Sequence, residues 1–104
     1  MNEQTIEENI DTLIAEWQKL VKPPTDAAIA LLGKWCGMLA VEVGYDPDHS
    51  RIEAWEPADG DIDALNELFG YDPYDEGDEE GDRVMDLFCQ SYHEGVRESV
   101  QAVA

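Results

Sequence analysis

Apolar residues recur at helical spacing in four stretches of this chain. In the first, Ile6, Ile10, Leu13, Ile14, Trp17, Leu20 and Val21 fall on one side of a 3.6-residue repeat and predict an amphipathic helix. Thr5, with Glu8 three residues on, reads as a capping box at its start. Lys19 and Lys22 suit the negative end of its dipole, and Pro23-Pro24 stop it. A second helix is expected to begin at Thr25 or Asp26 and to run from Ala27 to about Val43. It is apolar on more than one face, which predicts a central, buried position. Ala30, Gly33, Gly37 and Ala40 are small residues three or four apart. They predict close approach of a neighbouring backbone, and we favour packing within the chain over a dimer seam.

A competing pattern overlaps the end of that helix. Val41, Val43 and Tyr45 alternate with Glu42 and Gly44, Arg51 to Trp55 has β character, and Asp46-Pro47-Asp48 between them is turn chemistry. A small β-hairpin around residues 40–56 is therefore the alternative to a helix running to Val43. A short third helix follows, capped by Asp61, with Ile62, Leu65, Leu68 and Phe69 on its apolar face and Gly70 at its end. Tyr71 to Gly81 reads as a loop. Asp82 then caps a last helix that buries Val84, Leu87, Phe88, Tyr92, Val96, Val100 and Val103. The expected fold is mainly α: a single domain over residues 1–104, built as a compact bundle of about four helices, with or without the hairpin.

Charge changes the picture more than composition does. The chain of 104 residues carries 25 Asp and Glu against 6 Lys and Arg, a net charge of −19. Direct binding to nucleic acid or to an anionic membrane is disfavoured, because both need cationic side chains. The acids are also unevenly placed. Residues 46–86 hold a net −14, whereas residues 1–45 hold −4 and residues 87–104 hold −1. A protein adapted to high salt would spread its acids over every exposed face; concentration in one segment costs stability through self-repulsion and points to a use. The acidic N-terminal residues have no basic or apolar leader pattern, and no apolar run is long enough to span a membrane. Two cysteines, Cys36 and Cys89, make no disulfide framework. The cytoplasm is the expected compartment, with both thiols reduced.

Between Asp59 and Asp82 there are eleven acids and no base: Asp59, Asp61, Asp63, Glu67, Asp72, Asp75, Glu76, Asp78, Glu79, Glu80 and Asp82. Asp59, Asp63 and Glu67 lie four apart, as do Asp78, Asp82 and Asp86. On a helix, side chains four apart are roughly 5–6 Å from one another at Cβ. A row of carboxylates can stand in for a row of phosphates, because an arginine fork binds either one with the same bidentate geometry. Trp55, Tyr71 and Tyr74 flank the segment and are candidate interface anchors. Trp17 and Trp35 fall on apolar helical faces and are expected in the core. In length, acidity and the stretch Asp59 to Asp86, the chain resembles, as a class, the small acidic inhibitors that phages encode, including DNA mimics and anti-CRISPR proteins. The resemblance implies a basic, nucleic-acid-binding protein or complex as partner, and the host cytoplasm as compartment.

Other chemistries find less support. Asp46, Asp48 and Ser50 begin an EF-hand-like loop, but Arg51 replaces its glycine and Pro57 its final glutamate; a loop from Asp72 would end on Arg83. Cys89 and His93 share a helical face, and Cys36 and His49 could complete a zinc set, but the spacing matches no standard zinc motif. Ser50 and Ser91 lie in no nucleophile or phosphate-binding motif. The expectation is a monomer or homodimer without cofactor or metal. It is not an enzyme but an inhibitor that occupies a basic nucleic-acid-binding site. The alternatives are an immunity protein or antitoxin that masks a basic toxin, and a Mg²⁺-dependent enzyme that uses clustered carboxylates such as Glu79, Asp82 and Asp86.

Overall fold

The structure, a computed structural model, describes residues 3–20, 24–43, 56–70 and 79–103. They form four helices and, among the described residues, no strand: α1 (Glu3–Gln18), α2 (Asp26–Glu42), α3 (Asp59–Phe69) and α4 (Glu79–Val103). The architecture is the expected helical bundle. None of these helices is long and apolar enough to cross a membrane.

The bundle is organised around α2. This helix packs against α1, α3 and α4, and α1 also meets α3, whereas α4 approaches only α2 at backbone range. The sequence explains the central place: Ala28, Ile29, Leu32, Gly33, Cys36, Gly37 and Ala40 are all buried, so α2 has apolar surface to offer in several directions. Ile6, Ile10, Leu13 and Ile14 of α1, Leu65 and Leu68 of α3, and Val84, Phe88, Tyr92 and Val96 of α4 complete one core. Each large aliphatic or aromatic side chain buried there contributes about 1.5–3 kcal/mol. Trp17 and Trp35 pack against its edge, as expected.

The small residues of α2 set its seam with α4. A Cβ on Gly33 would come within 2.7 Å of the Phe88 carbonyl oxygen and 2.9 Å of Ser91 Cβ. On Gly37 it would overlap the Tyr92 carbonyl, and on Gly95 of α4 it would overlap the Lys34 carbonyl. The two backbones therefore touch, and the small-residue stripe serves a seam inside the chain. The pairs Gly33 with Phe88 and Gly37 with Tyr92 advance together, so α2 and α4 run parallel. Two exposed ion pairs cross the same seam, Arg83 to Asp26 at 2.8 Å and Lys34 to Glu98 at 3.0 Å. Exposed pairs of this kind contribute roughly 0–1 kcal/mol each.

Helix ends follow local chemistry. Thr25 is extended, and its hydroxyl accepts from the Ala28 N–H at 3.3 Å, which makes it the N-cap of α2. Gly70 adopts φ 80°, left-handed, and its N–H bonds the Asn66 carbonyl at 2.8 Å to close α3.

Several expected boundaries move. α2 stays helical through Glu42, and the Val43 N–H bonds the Leu39 carbonyl at 2.9 Å. The first strand of the hairpin alternative is thus helix over residues 40–42; its remainder, residues 44–55, lies outside the described residues. α1 is already helical at Glu3, so Thr5 lies inside the helix and is not its cap. It ends at Gln18, closed by tight turns from Lys19 to Glu16 and Leu20 to Trp17, well before the prolines. Leu20 is consequently exposed. α3 starts at Asp59, not after Asp61, and α4 starts by Glu79, so Asp82 is an exposed position within the helix and residues 79–81 are not loop. Val100 is exposed, and the buried side of α4 instead includes Gly81, Ser91, Gly95 and Ser99, of which Ser91 and Gly95 fit against α2.

Candidate functional site

α3 turns the acid spacing into geometry. Asp59, Asp63 and Glu67 are all exposed on this helix, one turn apart from each other. With a rise of about 6 Å per four residues, the three carboxylates span roughly 12 Å of helix axis. The opposite side of α3, through Leu65 and Leu68, is buried in the core. The row is therefore fixed in direction, held to the bundle by its apolar face. Gln18 of α1 adds a tie by donating from Nε2 to the Glu67 carbonyl at 3.3 Å. None of the three carboxylates makes an ion pair among the described residues, whereas Lys34 and Arg83 are engaged across the α2–α4 seam.

Asp61 behaves differently from its neighbours. It is half-buried, and its Oδ2 accepts from the Ala58 N–H at 2.9 Å, the return half of a capping box at the third position of α3. Its carboxylate also accepts from the buried Cys36 thiol. Burial raises its pKa above the ordinary aspartate value, against the lowering effect of both hydrogen bonds. Burial likewise pushes the Cys36 thiol far up, with the Asp61 charge adding to the effect, so Cys36 is an unreactive core thiol.

On α4, Asp82 and Asp86 are exposed and one turn apart. Glu79 and Glu80 belong to the first turn of the same helix. Asp72, Asp75, Glu76 and Asp78, and the aromatics Trp55, Tyr71 and Tyr74, lie outside the described residues. α3 and α4 do not approach each other at backbone range. The candidate acids that are described are thus divided between two helices.

Among the described residues the zinc set is not brought together. Cys36 faces Asp61, whereas Cys89 and His93 line a different cleft, of about 290 Å³, with Glu56, Pro57, Ile62 and Met85. His49 lies outside the described residues. Among the described residues no group of three His, Cys, Asp or Glu side chains is placed to hold a metal ion. Burial, and then the charges of Asp86 and Glu56, raise the Cys89 pKa, which suits neither a thiolate ligand nor a nucleophile.

Sequence reasoning passed over two carboxylates. Glu7 and Asp11 of α1 share a groove with Asp61 of α3. They sit in a helix that is itself acidic, with five acids and no base, but only the pairing of α1 with α3, a contact distant in sequence, brings them beside Asp61. Searched against protein-family models, characterised proteins and solved structures, the chain matches none.

Proposed function

We propose that this protein is an acidic inhibitor that binds the basic nucleic-acid-binding surface of another protein. The observation that carries this reading is the row Asp59, Asp63 and Glu67, exposed on one face of α3, anchored by the buried opposite face, and without ion-pair partners among the described residues. Asp82 and Asp86 extend the anionic surface on α4. Carboxylates held this way accept arginine forks as phosphates do. The row carries one charge per about 6 Å of its axis, a lower axial charge density than the one per roughly 3.4 Å of duplex axis that each DNA strand carries. The arrangement therefore suits competition for individual arginine and lysine contacts better than imitation of a duplex. A net charge of −19 speeds encounter with a cationic partner and makes binding sensitive to salt.

The test is retention of partners from a nuclease-treated host lysate on the tagged protein, at low and high salt, beside the triple variant Asp59→Lys/Asp63→Lys/Glu67→Lys. The expected result is a nucleic-acid-binding protein held at low salt, released by added DNA or RNA, and not held by the variant, whose helical signal is unchanged. Equal retention by the variant would refute the role of the row. Capture of a small basic toxin would redirect the same surface to immunity.

A further inference from the structure

A groove of about 380 Å³ opens between α1, α2 and α3, and among the described residues none from α4 lines it. Ile10, Cys36, Leu39 and Ala64 supply apolar surface, while Glu7 and Asp11 of α1 and Asp61 of α3 supply three carboxylates. Gly60 stands beside Asp61 at the start of α3. Glu7 and Asp11 are exposed, one turn apart, and Asp61 is half-buried. Among the described residues no cationic side chain lines the groove.

This combination selects its occupant. An anion is repelled. A neutral apolar group would take water from the carboxylates and give nothing back. A bare metal ion would leave the apolar surface unused, and no trio of ligands is placed for one among the described residues. A side chain with a methylene stem and a cationic head satisfies both parts of the lining. Of the two candidates, arginine is the better match: its guanidinium is more weakly hydrated than an ammonium and reaches two carboxylates with a rigid fork.

We propose that this groove seats one arginine side chain of the basic partner, its stem against Ile10, Leu39 and Ala64 and its guanidinium among Glu7, Asp11 and Asp61. The assignment rests on the acidic-inhibitor reading and deepens it, because it adds a shaped anchor point to a surface otherwise recognised by charge. The cost of holding Asp61 ionised in a half-buried position falls when a cation arrives, so the groove favours a cationic guest.

Gly60 allows shape to be tested apart from charge. A Cβ built there meets nothing within 4 Å, so Gly60→Phe can fill the groove mouth without displacing backbone or altering any charge. The probe is a short peptide of alternating arginine and glycine, titrated into the full chain and followed by amide chemical shifts and calorimetry. The amides of Glu7, Leu39, Gly60 and Ala64 are expected to shift together. Gly60→Phe, and separately Glu7→Gln/Asp11→Asn, are expected to weaken binding about tenfold or more while the helical signal stays native. A lysine–glycine peptide is expected to bind more weakly. Absence of binding to the unaltered protein, or unchanged binding by Gly60→Phe, would overturn the groove. If the Asp59, Asp63 and Glu67 reversal abolishes binding while Gly60→Phe does not, the groove fails and the acidic surface stands. If neither change affects capture of a basic partner, both readings fail.

Discussion

Adding a single methyl group to Gly37 should damage this protein severely. The new Cβ would overlap the Tyr92 carbonyl oxygen and lie 2.9 Å from the Tyr92 carbonyl carbon and 3.0 Å from the Val96 nitrogen. All three are backbone atoms in the middle of a 25-residue helix, so no flexible side chain can swing aside. Relief requires α2 and α4 to part by on the order of 1 Å, which forfeits a quarter to a half of the dispersion attraction at each loosened contact. Phe88, Tyr92 and Val96, all essentially inaccessible to solvent, sit along that seam. Overpacking and the resulting voids cost about 3–5 kcal/mol, and the better helix propensity of alanine returns about 1 kcal/mol. Gly37→Ala should therefore lose about 2–4 kcal/mol, or on the order of 15 °C in Tm for a domain of this size. Gly60→Ala is the matched control: its Cβ has open space, so the same substitution should gain roughly 0.5–1 kcal/mol. Thermal and urea denaturation followed by helical circular dichroism gives both values. A Gly37→Ala protein as stable as its parent would refute the backbone contact between α2 and α4.

Three further outcomes follow from local features. Thr25→Ala removes the hydroxyl that accepts from Ala28 and should cost about 1 kcal/mol in urea denaturation, whereas Thr25→Ser should cost much less. Asp61 has a folded pKa above its unfolded value of about 3.9, so its contribution to stability is full below that value and declines as pH rises through the folded pKa. The stability difference between Asp61→Asn and the parent should accordingly move in the variant's favour as pH rises above about 3.9; movement the other way would contradict the assignment. Thiol titration should find Cys89, half-buried, reacting slowly in the native protein, and buried Cys36 only after denaturant is added.

What the chain discloses on its own is governed by how local the determinant is. Thr25 after two prolines and Gly70 after an apolar face act within one helical turn, and both mark their helix ends as expected. The stripe from Ala30 to Ala40 also conveys its meaning, since only a close neighbour explains repeated small residues on a helix so apolar. The starts of α3 and α4 are harder to see. In a stretch crowded with aspartates, a carboxylate that caps from outside and one that reaches back from inside look alike; Asp61 does the second. Leu20 continues an apolar period past the end of its helix, and Val100 stands exposed beside the buried Ser99, so periodicity alone assigns both to the core. The α3 row is legible because α-helical spacing is local. The groove is not, because Glu7 and Asp11 meet Asp61 only through tertiary packing.

The parallel pairing of α2 with α4 also has a consequence for the route by which the chain folds. α1 and α2 are joined by a short connection and can meet early. The α2–α4 seam requires closure of the long stretch between Val43 and Glu79, whose entropy must be lost before any seam contact repays it. The glycine seam is thus expected to form late, after the transition state for folding. Substitutions at Gly33, Gly37 and Gly95 then act chiefly by accelerating unfolding. On this expectation the lifetime of the native state is set at the seam with α4 and not at the groove.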